Sequence, residues 1–392
     1  MLLTPLEVAL GCSRASLSAV FSLATVCFTA GTSLGPILTK RLPPSGLILT
    51  TAAVTGSSLL LASLLGRVPA RVGLWLLTAG WAGGFGTMSG MAYLCNAKIS
   101  NSRYFAGNNG LATGLLVSGR AMGAPLATPI VRAALSTGGA VGALRALAGG
   151  VSLLLLPVAF VLRRLTWADL AKGSAKGSAP RSAGGESEPA PPPPVGRVTL
   201  AKLWLTLLCG SAPGLLCHGH AAAILTAASA AGGASAAALG PVGVSAMATG
   251  SLVGRMGGGV LIDRISARRC LVRLPLLTAA TLAGPLALPG STLLTVAALA
   301  GCGLTYGLNA VALPVLVARL YGSEAFPAMY GKVFTAWGTA GVLTPWAAGR
   351  LYDLTGGYTA SLVASAVAAL AAAAAAASLP SSCDDTPEGC EV

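Results

Sequence analysis

The chain has 392 residues, of which 54% are apolar and only 9% charged, and its mean hydropathy is +0.76. Soluble domains carry about 25% charged residues, so a water-soluble globule is excluded. The net charge of +14 is spread over short loops and not gathered on one face, which reads as a membrane-topology signal and excludes a nucleic-acid partner.

Residues 1–13, MLLTPLEVALGCS, read as the tail of a helix and the loop after it. Apolar runs follow at 16–38, 46–65, 72–94, 111–130 and 139–162, and again at 203–226, 236–262, 270–288, 293–318, 333–348 and 358–379. Each is near the roughly 20 residues that a helix needs to cross a bilayer. Lipid leaves the backbone no outside partner, so helices are the expected spanning form. The expected fold is an all-α polytopic membrane protein: a five-helix bundle over 1–162, a linker over 163–200, a six-helix bundle over 201–380 and an acidic cytoplasmic tail over 381–392. The linker, with LAKGSAKGSAPRSAGGESEPAPPPP at its centre, is polar and rich in Pro, Gly and Ser, and is expected to be flexible and cytoplasmic. The first bundle is one helix short of the second, which is expected to reflect a truncated start.

Bases crowd the loops on one side, Lys40, Arg41, Lys98, Arg163, Arg164, Arg264, Arg268 and Arg269 among them, and that side is assigned to the cytoplasm. Two bases, Arg120 and Arg255, lie deep inside apolar runs. The nine cysteines show no zinc-type spacing, and no metal or cofactor site is expected. No signal peptide is evident. GTSLGPILTKR at 31–41 parallels GRMGGGVLIDR at 254–264, and GLATGLLVSGRAMGAP from 110 parallels GKVFTAWGTAGVLTP at 331–345, at nearly the same offset. Such a repeat is the architecture of many secondary transporters, with substrate bound between the repeats.

Several stretches carry a family resemblance. YGSEAFPAMYGKVFTAWGTAGVLTPWAAGRLYDLTGGYTAS (321–361), GWAGGFGTMSGMAY (80–93), NGLATGLLVSGRAMGAP (109–125), LGCSRASLSAVFSL (10–23) and PGLLCHGHAAAI (213–224) resemble the oxalate:formate antiporter and monocarboxylate transporter branch of the major facilitator superfamily. The GR…IDR stretch resembles its eighth helix and the loop signature after it. The resemblance implies twelve helices in two pseudo-symmetric bundles, the first helix being the one not seen here. It also implies a monomeric carrier of small organic anions that works by alternating access. Departures are Asn109–Gly110 in place of an Arg-Gly pair, and Lys40 in place of an acid in the first loop signature.

Arg255 is the leading site residue. A charge inside the membrane costs from about 3 to above 10 kcal/mol, and the glycines around it would leave a cavity. The resemblance assigns this arginine to the substrate carboxylate, for which a planar guanidinium fork is suited. Arg120 is the second candidate. The resemblance sets the fifth and eighth helices opposite each other, so an anion between two arginines would relieve their repulsion. Oxalate-carrying relatives use a lysine on the eleventh helix, where this chain has Trp337. Tyr93, Tyr306, Tyr330 and Trp337 are expected on cavity-facing helices, either closing over a planar anion or packing. Proton-coupled relatives place an acid one turn before the arginine, and here that residue is Ser251. That points to exchange or facilitated transport. His218 and His220 are a possible proton site. Asp263, Arg264 and Arg268 are read as a cytoplasmic latch, with Asp263 expected to pair with the arginines or with the helix start near Phe326. Two alternative readings stand beside the carrier: a non-transporting receptor or degenerate paralogue, and an exporter of hydrophobic compounds. The plasma membrane is the expected location, an organelle membrane the alternative.

Overall fold

The structure is a computed structural model and describes residues 3–12, 14–105, 107–172, 196–231 and 239–380. Those residues contain helices and short connections and no strand. The helices are α1 (Leu3–Leu10), α2 (Arg14–Arg41), α3 (Pro44–Ala62), α4 (Ala70–Leu77), α5 (Thr87–Ser100), α6 (Asn109–Val161), α7 (Trp167–Lys172), α8 (Arg197–Ala231), α9 (Gly240–Arg264), α10 (Ala267–Ala287), α11 (Thr292–Thr355) and α12 (Thr359–Ala377). A π-helical stretch, Thr78–Gly86, joins α4 to α5. α6 breaks at Gly139 (φ 57°, ψ −153°) and α11 at Gly322 (φ 71°, ψ 166°), conformations that only glycine adopts cheaply. Each of these long runs is therefore two helices end to end. Among the described residues the eleven apolar runs thus become eleven helical passes. Seven helices are long and apolar enough to cross a membrane on their own. The π-broken α4–α5 pass and the glycine-rich α9 are not among them.

The chain divides into two compact units, Met1–Ile99 with Gly119–Lys172, and Ser100–Ser118 with Gly173–Val392. The first unit is centred on buried Leu6, Leu10, Leu17, Leu59, Leu65, Leu77 and Leu144. Glycines let its backbones meet: a Cβ at Gly90 would overlap the Phe28 carbonyl oxygen, and one at Gly31 the Thr87 carbonyl oxygen. Polar residues in this apolar setting bond to their own helix, as Thr29 does to the Thr25 carbonyl (2.9 Å) and Thr51 to that of Leu47 (2.8 Å), because nothing else can satisfy them. Outward faces carry bare apolar side chains, Leu153 at 74% and Phe160 at 63% exposure, which suits lipid and not water.

The expected linker is described only at 163–172 and 196–200, and its start is ordered. Thr166 and Asp169 cap α7 reciprocally: the Thr166 N–H and hydroxyl donate to Asp169 Oδ2 (2.9 and 2.7 Å), and the Asp169 N–H donates back to Thr166 Oγ1 (3.2 Å). The Trp167 indole N–H donates to the Leu42 carbonyl at 2.7 Å, and Lys98 Nζ lies 4.7 Å from its ring centroid. This pins α7 to the C-terminal ends of α2 and α5. Residues 173–195 and the tail at 381–392 lie outside the described residues.

In the second unit α11 packs against α8, α9 and α10, and α12 against α8 and α10. The lower limb of α11 starts at 323, directly after the break at Gly322 and ten residues before the apolar run at 333–348.

Candidate functional site

The seam between α9 and the upper limb of α11 positions Arg255. Gly250 and Gly254 on α9 face Gly303 and Gly307 on α11 in a reciprocal small-xxx-small pairing. A Cβ at Gly250 would overlap the Ala300 carbonyl oxygen, at Gly254 that of Leu304, at Gly303 that of Met247, and at Gly307 that of Ser251. The glycines around Arg255 are thus mostly filled by neighbouring backbone, where the sequence led us to expect a cavity. Gly257 is the exception, with nothing within 4 Å of a Cβ placed there.

Locked in this way, α9 presents half-buried Arg255 to Tyr306 of α11. The guanidinium carbon lies 5.8 Å from the Tyr306 ring centroid, within cation–π range. The Trp337 indole N–H donates to the Tyr306 hydroxyl at 2.9 Å, which leaves the hydroxyl proton of Tyr306 as a donor. The His218 ring stands edge-on to Tyr306, centroids 5.2 Å apart. Below Trp337 an aromatic ladder descends the lower limb of α11, with Phe334 stacked at 5.2 Å, Tyr330 at 5.6 Å from Phe334, and Phe326 stacked on Tyr330 at 5.1 Å. This assembly offers one fixed positive charge, a phenol donor and an aromatic wall, a chemistry suited to a planar anion.

The candidates read from the sequence separate as follows. Arg255, Tyr306 and Trp337 come together, with His218 beside them. Tyr330, 2% exposed, is a packed rung of the ladder. Tyr93 lies in the first unit, 5.8 Å from Phe28. The Arg120 backbone is helical, and its side chain lies outside the described residues. His220 turns away from His218: its Nδ1 is 3.1 Å from the Tyr358 hydroxyl at the start of α12.

Asp263 takes a partner the sequence did not indicate. Its Oδ1 accepts the Gly110 N–H at 2.7 Å and its Oδ2 the Leu111 N–H at 2.8 Å, at the start of α6. A helix N-terminus offers unsatisfied N–H groups and the positive end of the macrodipole, so the carboxylate goes there and not to the helix near Phe326. Gly110 permits the approach, since a Cβ there would stand 2.6 Å from Asp263 Oδ1. Asn109 meanwhile donates to the Ser100 and Ser102 carbonyls, both at 3.1 Å. Arg264 is exposed. Arg268 donates to the Ala377 carbonyl at 2.8 Å, and Lys202 reaches the Ser378 carbonyl at 2.6 Å. Those two cations cap the C-terminus of α12, where the macrodipole favours them. Trp204, unremarked in the sequence, donates to Thr335 Oγ1 at 2.9 Å.

No protein-family model matches the sequence, and no curated protein matches it. Solved structures do match. The outward conformation of FucP, the E. coli fucose:proton symporter, aligns with a TM-score of 0.69 at 15% identity, over 97% of this chain and 93% of that one. The proton:xylose symporter XylE aligns with a TM-score of 0.69 at 11% identity, covering 98% and 92%. The human organic anion transporter MFSD10 aligns with a TM-score of 0.65 at 14% identity, covering 95% and 87%. The chain is an all-α, multi-pass membrane protein with the major facilitator superfamily fold.

Proposed function

We propose that this chain is a secondary carrier of small organic anions, mono- or dicarboxylates, working by alternating access through exchange or facilitated transport. The observation that carries the reading is Arg255, half-buried in an apolar helix and held 5.8 Å from the Tyr306 ring while Trp337 bonds the Tyr306 hydroxyl. A charge retained at such cost inside a membrane protein marks a ligand path, and a guanidinium pairs two carboxylate oxygens at once. Among proteins of similar fold, MFSD10 is named an organic anion transporter, while FucP and XylE are sugar symporters. The fold alone therefore does not choose the substrate, and the argument for an anion rests on the arginine. Ser251, one turn before Arg255 and 2% exposed, supplies a neutral hydroxyl at the position where proton-coupled carriers keep an acid, which favours carriage of the anion without a proton. Arg120 is proposed as a second positive charge for the anion.

The test is exchange in proteoliposomes holding the full chain, with labelled formate, oxalate, lactate or pyruvate outside and the unlabelled anion inside. The carrier reading expects saturable uptake of at least one of the four, lost in Arg255→Ala and weakened in Arg120→Gln. Absence of uptake of all four favours the non-transporting reading. Transport of hydrophobic compounds that survives Arg255→Ala favours the exporter. Unchanged affinity in Arg120→Gln removes Arg120 from the site.

A further inference from the structure

The second unit carries a crown of bases at the end where α12 stops. Lys202, in the second turn of α8, donates to the Ser378 carbonyl at 2.6 Å, and Arg268, in the first turn of α10, donates to the Ala377 carbonyl at 2.8 Å. These two bonds fix where the chain leaves α12. Around that point Arg197 at the start of α8, Arg264 at the end of α9, and Arg269 and Arg273 on α10 are exposed. Arg269 and Arg273 are four residues apart and so share one face of their helix. Asp263, the acid beside Arg264 in the chain, already spends both oxygens on the Gly110 and Leu111 N–H groups. The chain continues from this crown into SSCDDTPEGCEV, residues 381–392, which holds Asp384, Asp385, Glu388 and Glu391 and no base. Four of the eleven acids of the whole chain thus follow directly on the two carbonyls that Lys202 and Arg268 hold.

We propose that this crown is the docking surface for the chain's own acidic tail, through Asp384, Asp385, Glu388 and Glu391. Length permits it. At about 3.3 Å per extended residue, Asp384 can reach about 13 Å past Pro380 and Glu391 about 36 Å, while Arg268 to Arg273 spans about 7.5 Å of helix. Charge complements it, since four carboxylates meet six cations. Lys202 and Arg268 keep donors to spare after their bonds to α12, because an ammonium has three and a guanidinium five. Each exposed ion pair is weak by itself. The tail, however, is tethered at the crown, and a short tether holds a ligand at an effective concentration in the millimolar range. A lipid phosphate is the competing anion. It brings one headgroup at a time, whereas the tail brings four carboxylates on one tether and engages several bases together. The docked tail screens the mutual repulsion of the arginines and, with Lys202 and Arg268, holds the last turn of α12 against α8 and α10. No group of the anion site takes part, so the proposal does not depend on the proposed function.

The experiment treats the purified full chain, in phosphatidylcholine nanodiscs, with a water-soluble carbodiimide, which joins carboxylates to amines, and maps the products by mass spectrometry. Arg264→Lys and Arg273→Lys keep the charge of the crown and provide amines on it. The proposal expects an amide between Lys202 and Asp384 or Asp385 in the wild type, and between position 264 or 273 and a tail acid in the two variants. Yields should fall about fivefold at about 1 M salt, where the screening length is about 3 Å. The Lys202 yield should fall as far in a triple Arg264→Gln, Arg269→Gln, Arg273→Gln variant, which leaves the bonds of Lys202 and Arg268 to α12 in place. A cross-link to Lys202 alone, with the same yield in the triple variant or in high salt, would show a tail held only by its tether and overturn the proposal, as would the absence of any tail cross-link. Loss of the cross-links when phosphatidylglycerol replaces phosphatidylcholine would assign the crown to lipid headgroups and overturn it too. None of these readouts uses transport, so a carrier with an undocked tail and a docked tail in a non-carrier give different results.

Discussion

Replacing Gly254 by alanine tests the packing that holds Arg255 in place. A Cβ there would overlap the Leu304 carbonyl oxygen, and would stand 2.9 Å from its carbonyl carbon and 3.1 Å from its Cα. All three atoms are backbone, so no side chain can swing aside. Relief requires α9 and α11 to part, and the seam that parts also contains Gly250 against Ala300 and Gly307 against Ser251. Overpacking of this kind costs about 1–3 kcal/mol, and a gap of about 0.5–1 Å along the seam forfeits a quarter to a half of each contact it opens. A loss of about 3 kcal/mol follows, or a fall of about 6 °C in the unfolding midpoint at about 2 °C per kcal/mol for a chain of this size. Gly257→Ala, three residues on, meets nothing within 4 Å and should gain up to about 1 kcal/mol from helix propensity. The assay is thermal unfolding of the purified full chain in detergent, followed by intrinsic fluorescence. If Gly254→Ala unfolds no earlier than Gly257→Ala, the seam is not packed as described.

Asp263→Ala removes two charge-assisted hydrogen bonds at the start of α6; with the Leu111 side of the contact open to solvent, about 2 kcal/mol is expected. The midpoint should fall by about 4 °C. Asp263→Asn should recover only part of this, since an amide has one acceptor oxygen to offer two N–H groups, and full recovery would refute the bidentate contact. Trp167→Phe removes the 2.7 Å bond to the Leu42 carbonyl and should loosen α7 by about 1 kcal/mol. Trypsin cleavage at Lys172 should then quicken about fivefold, and an unchanged rate would mean that α7 is not held by its indole.

The helical passes were legible because lipid leaves a backbone few options: each long apolar run in the sequence is a helix in the structure. The breaks at Gly139 and Gly322 were marked only by glycine, which the sequence offers at many other positions. The π stretch over Thr78–Gly86 follows from no local rule and depends on close packing, as at Gly80 against the Ser58 carbonyl oxygen. Arg255 declared itself by cost, a lone charge in an apolar run. Its neighbours Tyr306 and Trp337 came from family resemblance, and their hydrogen bond was not readable from spacing. The partner of Asp263 was missed because a helix start at Gly110 donates through main-chain N–H groups, which carry no side-chain signature.

The measurement closest to the central claim is anion binding by the purified full chain, titrated with formate, oxalate, lactate and pyruvate and read as thermal stabilisation, in wild type, Arg255→Gln and Arg255→Lys. A bidentate guanidinium–carboxylate pair is worth about 3 kcal/mol, so any anion that stabilises the wild type should bind Arg255→Gln about 100-fold more weakly. Arg255→Lys, which keeps the charge but loses the fork, should fall between. Equal binding by wild type and Arg255→Gln, or stabilisation of the wild type by none of the four anions, would contradict an arginine-centred anion site.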